Sequence, residues 1–301
     1  MKRLLRPLFG TLALGFVVYA AWQMQRRWQT GQSIEIQWGP LLLSCVPLCG
    51  AAVVLAWGWK RLLEHMSGCH IPTSGAIALN LESQLARYMP GKVGVPAIRM
   101  AGAGLLGLSA RTVLTSVFVE VTAFVAVGFV VALSLFSFSG IADIGEVSWF
   151  GHGTAIAAAG VSVATVGLVT LDRRRLPARV LAMIGLTGSG TLVPVATVVA
   201  HAVYWTCWAV HGYFVALAVG GSEAAAATGA AFFVAAPILG FLALVAPGGV
   251  GVREAILAVG LAPGVGPAAA LAAAGLSRAV SLVADVVVWL ASRPWRLRAR
   301  S

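Results

Sequence analysis

Charge is what this chain has least of, and acidic charge above all: ten Asp and Glu among 301 residues, against 21 Lys and Arg. Charged side chains make up 10% of the total and hydrophobic ones 59%, whereas a soluble domain is about a quarter charged. That excludes a water-soluble globular protein. Nothing ionises strongly between Arg6 and Arg26, Glu35 and Lys60, Glu146 and Asp172, or Glu254 and Arg278. Each run is about as long as the roughly 20 apolar residues that cross a bilayer. The expectation is an all-α, polytopic membrane helix bundle forming one integral membrane domain over 1–301.

Cysteine is scarce too. Cys45, Cys49, Cys69 and Cys207 show neither CxxC pairs nor a secreted disulfide framework, and Cys45 and Cys49 read as small packing residues. The His and Cys of the linker Glu64, His65, Cys69 and His70 match no metal-ligand spacing. Nucleotide motifs are missing: no GK[ST] follows the glycines, and no GxGxxG follows a strand. Gly188-Ser-Gly190 lacks the GxSxG spacing of a nucleophile elbow. No nucleophile and base stand together, so the expectation is a protein without cofactor, metal or catalytic residue, and not an enzyme. His201 and His211, ten apart on one helix, read as packed or polar-cavity histidines. The net charge of +11 does not point to nucleic acid, because the basic residues cluster at the ends of apolar runs, as on a cytoplasmic membrane face.

What the chain does contain is a repeated string. Pro90-Gly-Lys-Val-Gly-Val95 recurs, with one change, as Pro247-Gly-Gly-Val-Gly-Val252, 157 positions later. Proline lacks the helical amide hydrogen, and glycine reaches backbone angles that other residues avoid. Pro90, Gly91 and Gly94, and Pro247, Gly248, Gly249 and Gly251, therefore break helices. Broken backbone within an apolar segment is tolerated only against protein or a watery cavity, and paired breaks point to a binding site between two transporter halves.

Met1-Lys-Arg-Leu-Leu-Arg6 resembles a signal peptide, but the run behind it is long, and an uncleaved first span from about Leu8 to Trp22 is expected. Further spans are read at about Pro40–Trp59, Thr112–Phe138, Phe150–Leu171, Leu192–Val219 and Pro267–Leu290. Lys and Arg gather in cytoplasmic loops. That places the amino terminus, Lys60-Arg61, the loop with Asp172 to Arg175 and Arg179, and the basic tail 291–301 inside, with Asp143 and Glu146 outside. Threading then requires each string to sit near the tip of a re-entrant hairpin, one dipping from each face. The two repeats, about 40–138 and 190–290, would have inverted topology. Arg26-Arg27 on the outside and the span-length apolar run Ala224 to Ala246 resist this reading.

Ionisable residues at membrane depth are functional candidates. Around the breaks these are Arg87, Lys92 and Arg99, then Arg253 and Glu254. Four of the five are cationic, and helix ends freed at the breaks add amides, so the centre should favour an anionic group such as a lipid phosphate. Snorkelling of Arg87, Lys92 and Arg99 to headgroups is the alternative. Glu120 and Arg278 lie about 30 residues after the two strings, suggesting an intramembrane pair. Asp285, seven residues after Arg278, competes for it, and Glu120 could instead carry a proton.

Arg87-Tyr-Met-Pro-Gly-Lys-Val-Gly94 and Pro247-Gly-Gly-Val-Gly-Val-Arg-Glu254 resemble the two signature stretches of the flippase-like integral membrane family, which includes the transmembrane flippase half of lysylphosphatidylglycerol synthases. Span order and spacing extend the resemblance over nearly the whole chain. It implies a protein of the cell membrane that moves a phospholipid or a polyprenyl-phosphate-linked lipid between leaflets, with Arg87, Lys92, Arg253 and Glu254 matching the charged signature positions. The sequence carries no soluble aminoacyl-transferase domain, so synthase activity is not expected. Two other readings stand beside transport: a membrane-embedded enzyme on lipid phosphates, with Glu254 or Glu120 as base, and a non-catalytic subunit partnering an envelope-synthesis enzyme.

Overall fold

A computed structural model describes residues 34–88, 93–138, 167, 190–243 and 251–298. In hydrocarbon, backbone N–H and C=O groups must bond within the protein, and a helix satisfies them within its own segment. The described residues form α1 (Trp38–Leu43), α2 (Cys45–Ser67), α3 (Thr73–Leu85), α4 (Gly94–Ala101), α5 (Ala110–Phe138), α6 (Val195–Ala218), α7 (Glu223–Leu242), α8 (Val252–Val265) and α9 (Pro267–Arg298). Short 3-10 turns at Ala86–Tyr88 and Ala103–Leu106 follow α3 and α4. Among the described residues, four stretches are long and apolar enough to cross a membrane: Trp38–Ser67, Ala110–Phe138, Glu223–Leu242 and Pro267–Trp295.

Polarity is distributed as a bilayer requires. Val53, Phe118, Val203, Val259 and Val287 are exposed, while Asn80, Arg99, Glu120, His201, His211 and Asp285 are buried. Apolar side chains meet lipid at no cost, whereas an ionised group there is expensive, so charge collects between helices. The chain is a multi-pass membrane protein.

Helices α2 and α6 pack antiparallel. The Gln37 amide donates to Ala218 O (2.8 Å) at one end, Thr197 Oγ1 donates to Gly58 O (2.9 Å) further along, and His65 meets Thr191 O (2.6 Å) at the other. Gly58 permits this approach, since a Cβ there would lie 2.6 Å from the Ala200 methyl. These contacts define two ends of the bundle, one at Gly68 and one at Val219.

Helix α3 departs from the Gly68 end. Glu64 fixes the departure by taking Lys60 and Arg61 (both 3.0 Å) and the Ile71 amide (3.2 Å). Helix α4 returns along α3, with Gly94 against Ala86 and Gly102 against Leu79. Trp59, Leu63, Ile71, Leu79, Leu106 and Val113 close one core over both arms.

Helix α7 departs from the Val219 end, where Ser222 caps it by accepting from the Ala225 amide (3.2 Å). Helix α8 runs back along α7, with Gly260 against Phe232, Leu261 against Gly229 and Gly264 against Ala225. Leu41, Val215, Ala218, Leu261 and Ala269 share the core at that end. Each pair of arms is followed by a long helix, α5 or α9, so α2 to α5 and α6 to α9 repeat one order of elements.

Several boundaries differ from the sequence reading. Glu64 and His65 lie inside α2, which runs to Ser67 and ends on Gly68 at φ 69°, because Lys60 and Glu64 pair one turn apart on its surface. The tail is not separate: α9 continues to Arg298, with Arg293 resting on Trp289 one turn earlier (5.4 Å). The span at Leu8–Trp22, Arg26-Arg27, the acidic loop at Asp143 and Glu146, the span at Phe150–Leu171 apart from Gly167, and the basic loop that follows lie outside the described residues.

Candidate functional site

Of the two strings, Pro90, Gly91 and Lys92, and Pro247, Gly248 and Gly249, lie outside the described residues, but the last glycine of each is in place. Gly94 and Gly251 are required for different reasons. A Cβ at Gly94 would meet Ala86 O at 2.4 Å, a backbone atom that cannot step aside. Gly251 has open space around it but sits at φ 88°, where L-residues are strained. Its amide donates to Glu254 Oε2 (2.7 Å), so Glu254 caps the start of α8 from the third position.

Each pair of arms brings an arginine to the neighbourhood of Trp208, one lining a cleft with it and the other lying on its ring. Arg87, just beyond α3, donates Nη2 to Asp285 Oδ1 of α9 (3.0 Å) and Nε to Gln84 O (3.1 Å). With Leu48, Ala52, Tyr204, Trp208, Ser281 and Asp285 it lines a cleft of about 10 Å³, room for one water molecule. Arg253, opening α8, lies over the Trp208 ring (5.1 Å to its centroid) and donates Nη2 to Ser277 Oγ (2.8 Å). Trp208 thus neighbours both. An indole face is a good partner for guanidinium where water is scarce.

A buried relay orients Arg253. Ser277 Oγ accepts from Arg253 and donates its own hydrogen to His211 Nε2 (2.8 Å), and His211 Nδ1–H donates to Ser44 O (3.0 Å). Only this neutral tautomer gives each atom one complementary partner. Ser44 stands at the junction of α1 and α2, so the relay ties that junction to the arginine.

The expected Glu120–Arg278 pair is not formed, nor is Arg278–Asp285. Glu120 Oε2 accepts from Arg99 Nη1, Arg278 Nη1 donates to Glu254 Oε1 (2.5 Å), and Asp285 takes Arg87. The reason is local: each long helix doubles back along the short arm before it, so α5 meets α4 and α9 meets α8. Sequence separations of 21 and 24 residues are thereby closed without crossing the molecule. The signs are exchanged between halves, with the cation on the short arm α4 but on the long helix α9.

Of the candidate residues, Arg87, Arg253 and Asp285 converge near Trp208, with Glu254 and Arg278 beside Arg253. Arg99 is elsewhere, 1% exposed, its guanidinium on Trp59 (4.4 Å to the centroid) and its Nε on Ser83 Oγ (3.0 Å). The sequence reading did not pick out Trp208, Tyr204 or Ser277 as site residues and took His211 for a packed or polar-cavity histidine. Tyr204, Trp208 and His211 recur at spacings of four and three on α6, one face of a helix, and that was the available signal.

An all-helical, multi-pass membrane protein with arginines, carboxylates and aromatics collected in its interior is what fold and site define. The chain matches the family described as the lysylphosphatidylglycerol synthase TM region over residues 4–288, and it belongs to that family. No curated protein matches it. Membership places it among membrane proteins concerned with lipid modification or transport.

Proposed function

We propose that the protein is a flippase: it moves an anionic or phosphate-linked lipid between leaflets of the cell membrane, headgroup through the interior and acyl chains in the bilayer. The observation that carries this is the gathering of two arginines from different arms around Trp208, Arg253 stacked on its ring and Arg87 lining a cleft with it. Desolvating a phosphate in hydrocarbon is prohibitive, and guanidinium groups that bind phosphate bidentately lower that barrier. In this reading α3–α4 and α7–α8 are re-entrant hairpins of an inverted repeat. Their departures from the Gly68 and Val219 ends support it, as does the antiparallel packing within each. The Gly68 end, carrying Lys60 and Arg61, would be cytoplasmic, with both termini.

A headgroup phosphate would displace Asp285 from Arg87 and meet Arg253 across Trp208. We read the protein as a transporter and not an enzyme, because Glu254, the carboxylate beside Arg253 considered as a base, has both oxygens taken, by Arg278 and by the Gly251 amide. Reconstitution into liposomes with labelled anionic phospholipid or polyprenyl phosphate tests the proposal by leaflet exchange. Exchange faster than in protein-free vesicles is expected, with Arg253→Ala slowing it at least about tenfold, the loss of a charged hydrogen bond. Release of phosphate from the lipid instead would favour the enzyme.

A further inference from the structure

We propose that Glu120 is a proton-binding site, built where α4, α5 and α6 meet and apart from the arginines around Trp208. The carboxylate is 5% exposed and uses one oxygen for Arg99, while its Oε1 has no hydrogen-bond partner among the described residues. His201 of α6 is 0% exposed, and neither of its ring nitrogens has a partner among them. The two are neighbours through Phe124, one turn beyond Glu120, whose ring meets the His201 ring edge-on at 5.4 Å. An unsatisfied polar atom in an apolar interior is costly, and a proton on Oε1 removes the charge that burial penalises.

The surroundings of Arg99 suit a carboxyl that gains and loses charge. When Glu120 is neutral, the guanidinium still has the Trp59 face and Ser83 Oγ, so protonation does not strand a buried cation. The proton adds to Oε1 and leaves by the same atom; no covalent bond breaks, and what is weakened is the ion pair to Arg99. Ionisable groups on other packed elements are occupied or distant. Lys60 on α2 pairs with Glu64, Arg278 and Asp285 on α9 have partners, and Glu223, alone on α7, starts that helix at the far end.

The site also touches the centre through α3. Ser83 binds Arg99, and the carbonyl of the next residue, Gln84, accepts from Arg87. Releasing α4 from α5 by protonation therefore acts on the turn that holds Arg87. Coupling to lipid movement rests on the flippase reading; the proton site itself does not.

Infrared difference spectroscopy of the full chain in nanodiscs, titrated from acid to alkaline pH, tests it without a lipid assay. A protonated-carboxyl band lost in Glu120→Gln is expected, with His201→Gln moving its midpoint by about one pH unit, tenfold in proton affinity. Glu120→Asp, which keeps an acid at this position, should retain a band at altered frequency and guards against misfolding of the amide variant. A band unchanged in Glu120→Gln, or no titrating band in the wild type, overturns the proposal.

Discussion

Arg253 holds three relations at once, to Trp208, to Ser277 and through it to His211. Lysine would keep the charge but lose the planar fork and the stacking, so Arg253→Lys should retain only part of the exchange activity that Arg253→Ala loses. The ion pairs make a second residue-scale prediction. Removing one partner of a buried pair costs about 3–5 kcal/mol, because the other is left buried and bare. Arg99→Met should therefore lower the thermal midpoint in detergent sharply. The double exchange Arg99→Glu with Glu120→Arg should recover stability, while Glu120→Arg with Arg278→Glu should not, since those two side chains do not meet. Gly251→Ala should cost about 1–3 kcal/mol through backbone strain, and Gly94→Ala should be no milder, because the Ala86 carbonyl has nowhere to go.

Elements here are held by close approach of small residues, the usual means of helix packing in a membrane. Within α7–α8, Gly229, Gly260 and Gly264 each face a side chain across the hairpin at 2.2–2.7 Å from a notional Cβ. Within α3–α4, Gly102 faces Leu79 in the same way. Gly260→Leu or Gly102→Leu should force the arms apart and cost about 1–3 kcal/mol. Gly50→Ala, in α2 with nothing within 4 Å, should be neutral or stabilising by up to about 1 kcal/mol. Thermal midpoints of these variants, read side by side, would show which glycines are there for space. Part of this level was legible beforehand: proline and glycine announce the interruptions between α3 and α4 and between α7 and α8, and the uncharged run from Glu35 to Lys60 announces α2, whereas the run from Glu254 to Arg278 is divided at Gly266 between α8 and α9. The pairing of α4 with α5 and of α8 with α9 was not, because the run of a chain after a break depends on which neighbours fill its grooves.

At the scale of the whole molecule, the proposed topology makes Glu223 and Pro263 face one side of the membrane and native Cys69 the other; all three are exposed. An impermeant maleimide added to intact cells should label single cysteines at Glu223 and Pro263, in a background with the native cysteines replaced. Cys69 should react only after the membrane is opened. Labelling of all three from one side would refute opposed re-entry.

Composition alone determined that this is a helical protein of the bilayer, because hydrocarbon leaves no other use for so much apolar and so little charged sequence. The repeated string likewise fixed where helices must break, because missing amide hydrogens and crowded Cβ positions are properties of the residues themselves. Which charges neutralise which was decided only in three dimensions. Glu120 chose Arg99 over Arg278, Asp285 chose Arg87, and Trp208 came to stack with Arg253 while lining a cleft with Arg87, more than 150 positions away in the chain. Burial makes every unpaired charge expensive, so the pairing follows whatever distances the packed helices leave, and those distances are not written in the order of the residues.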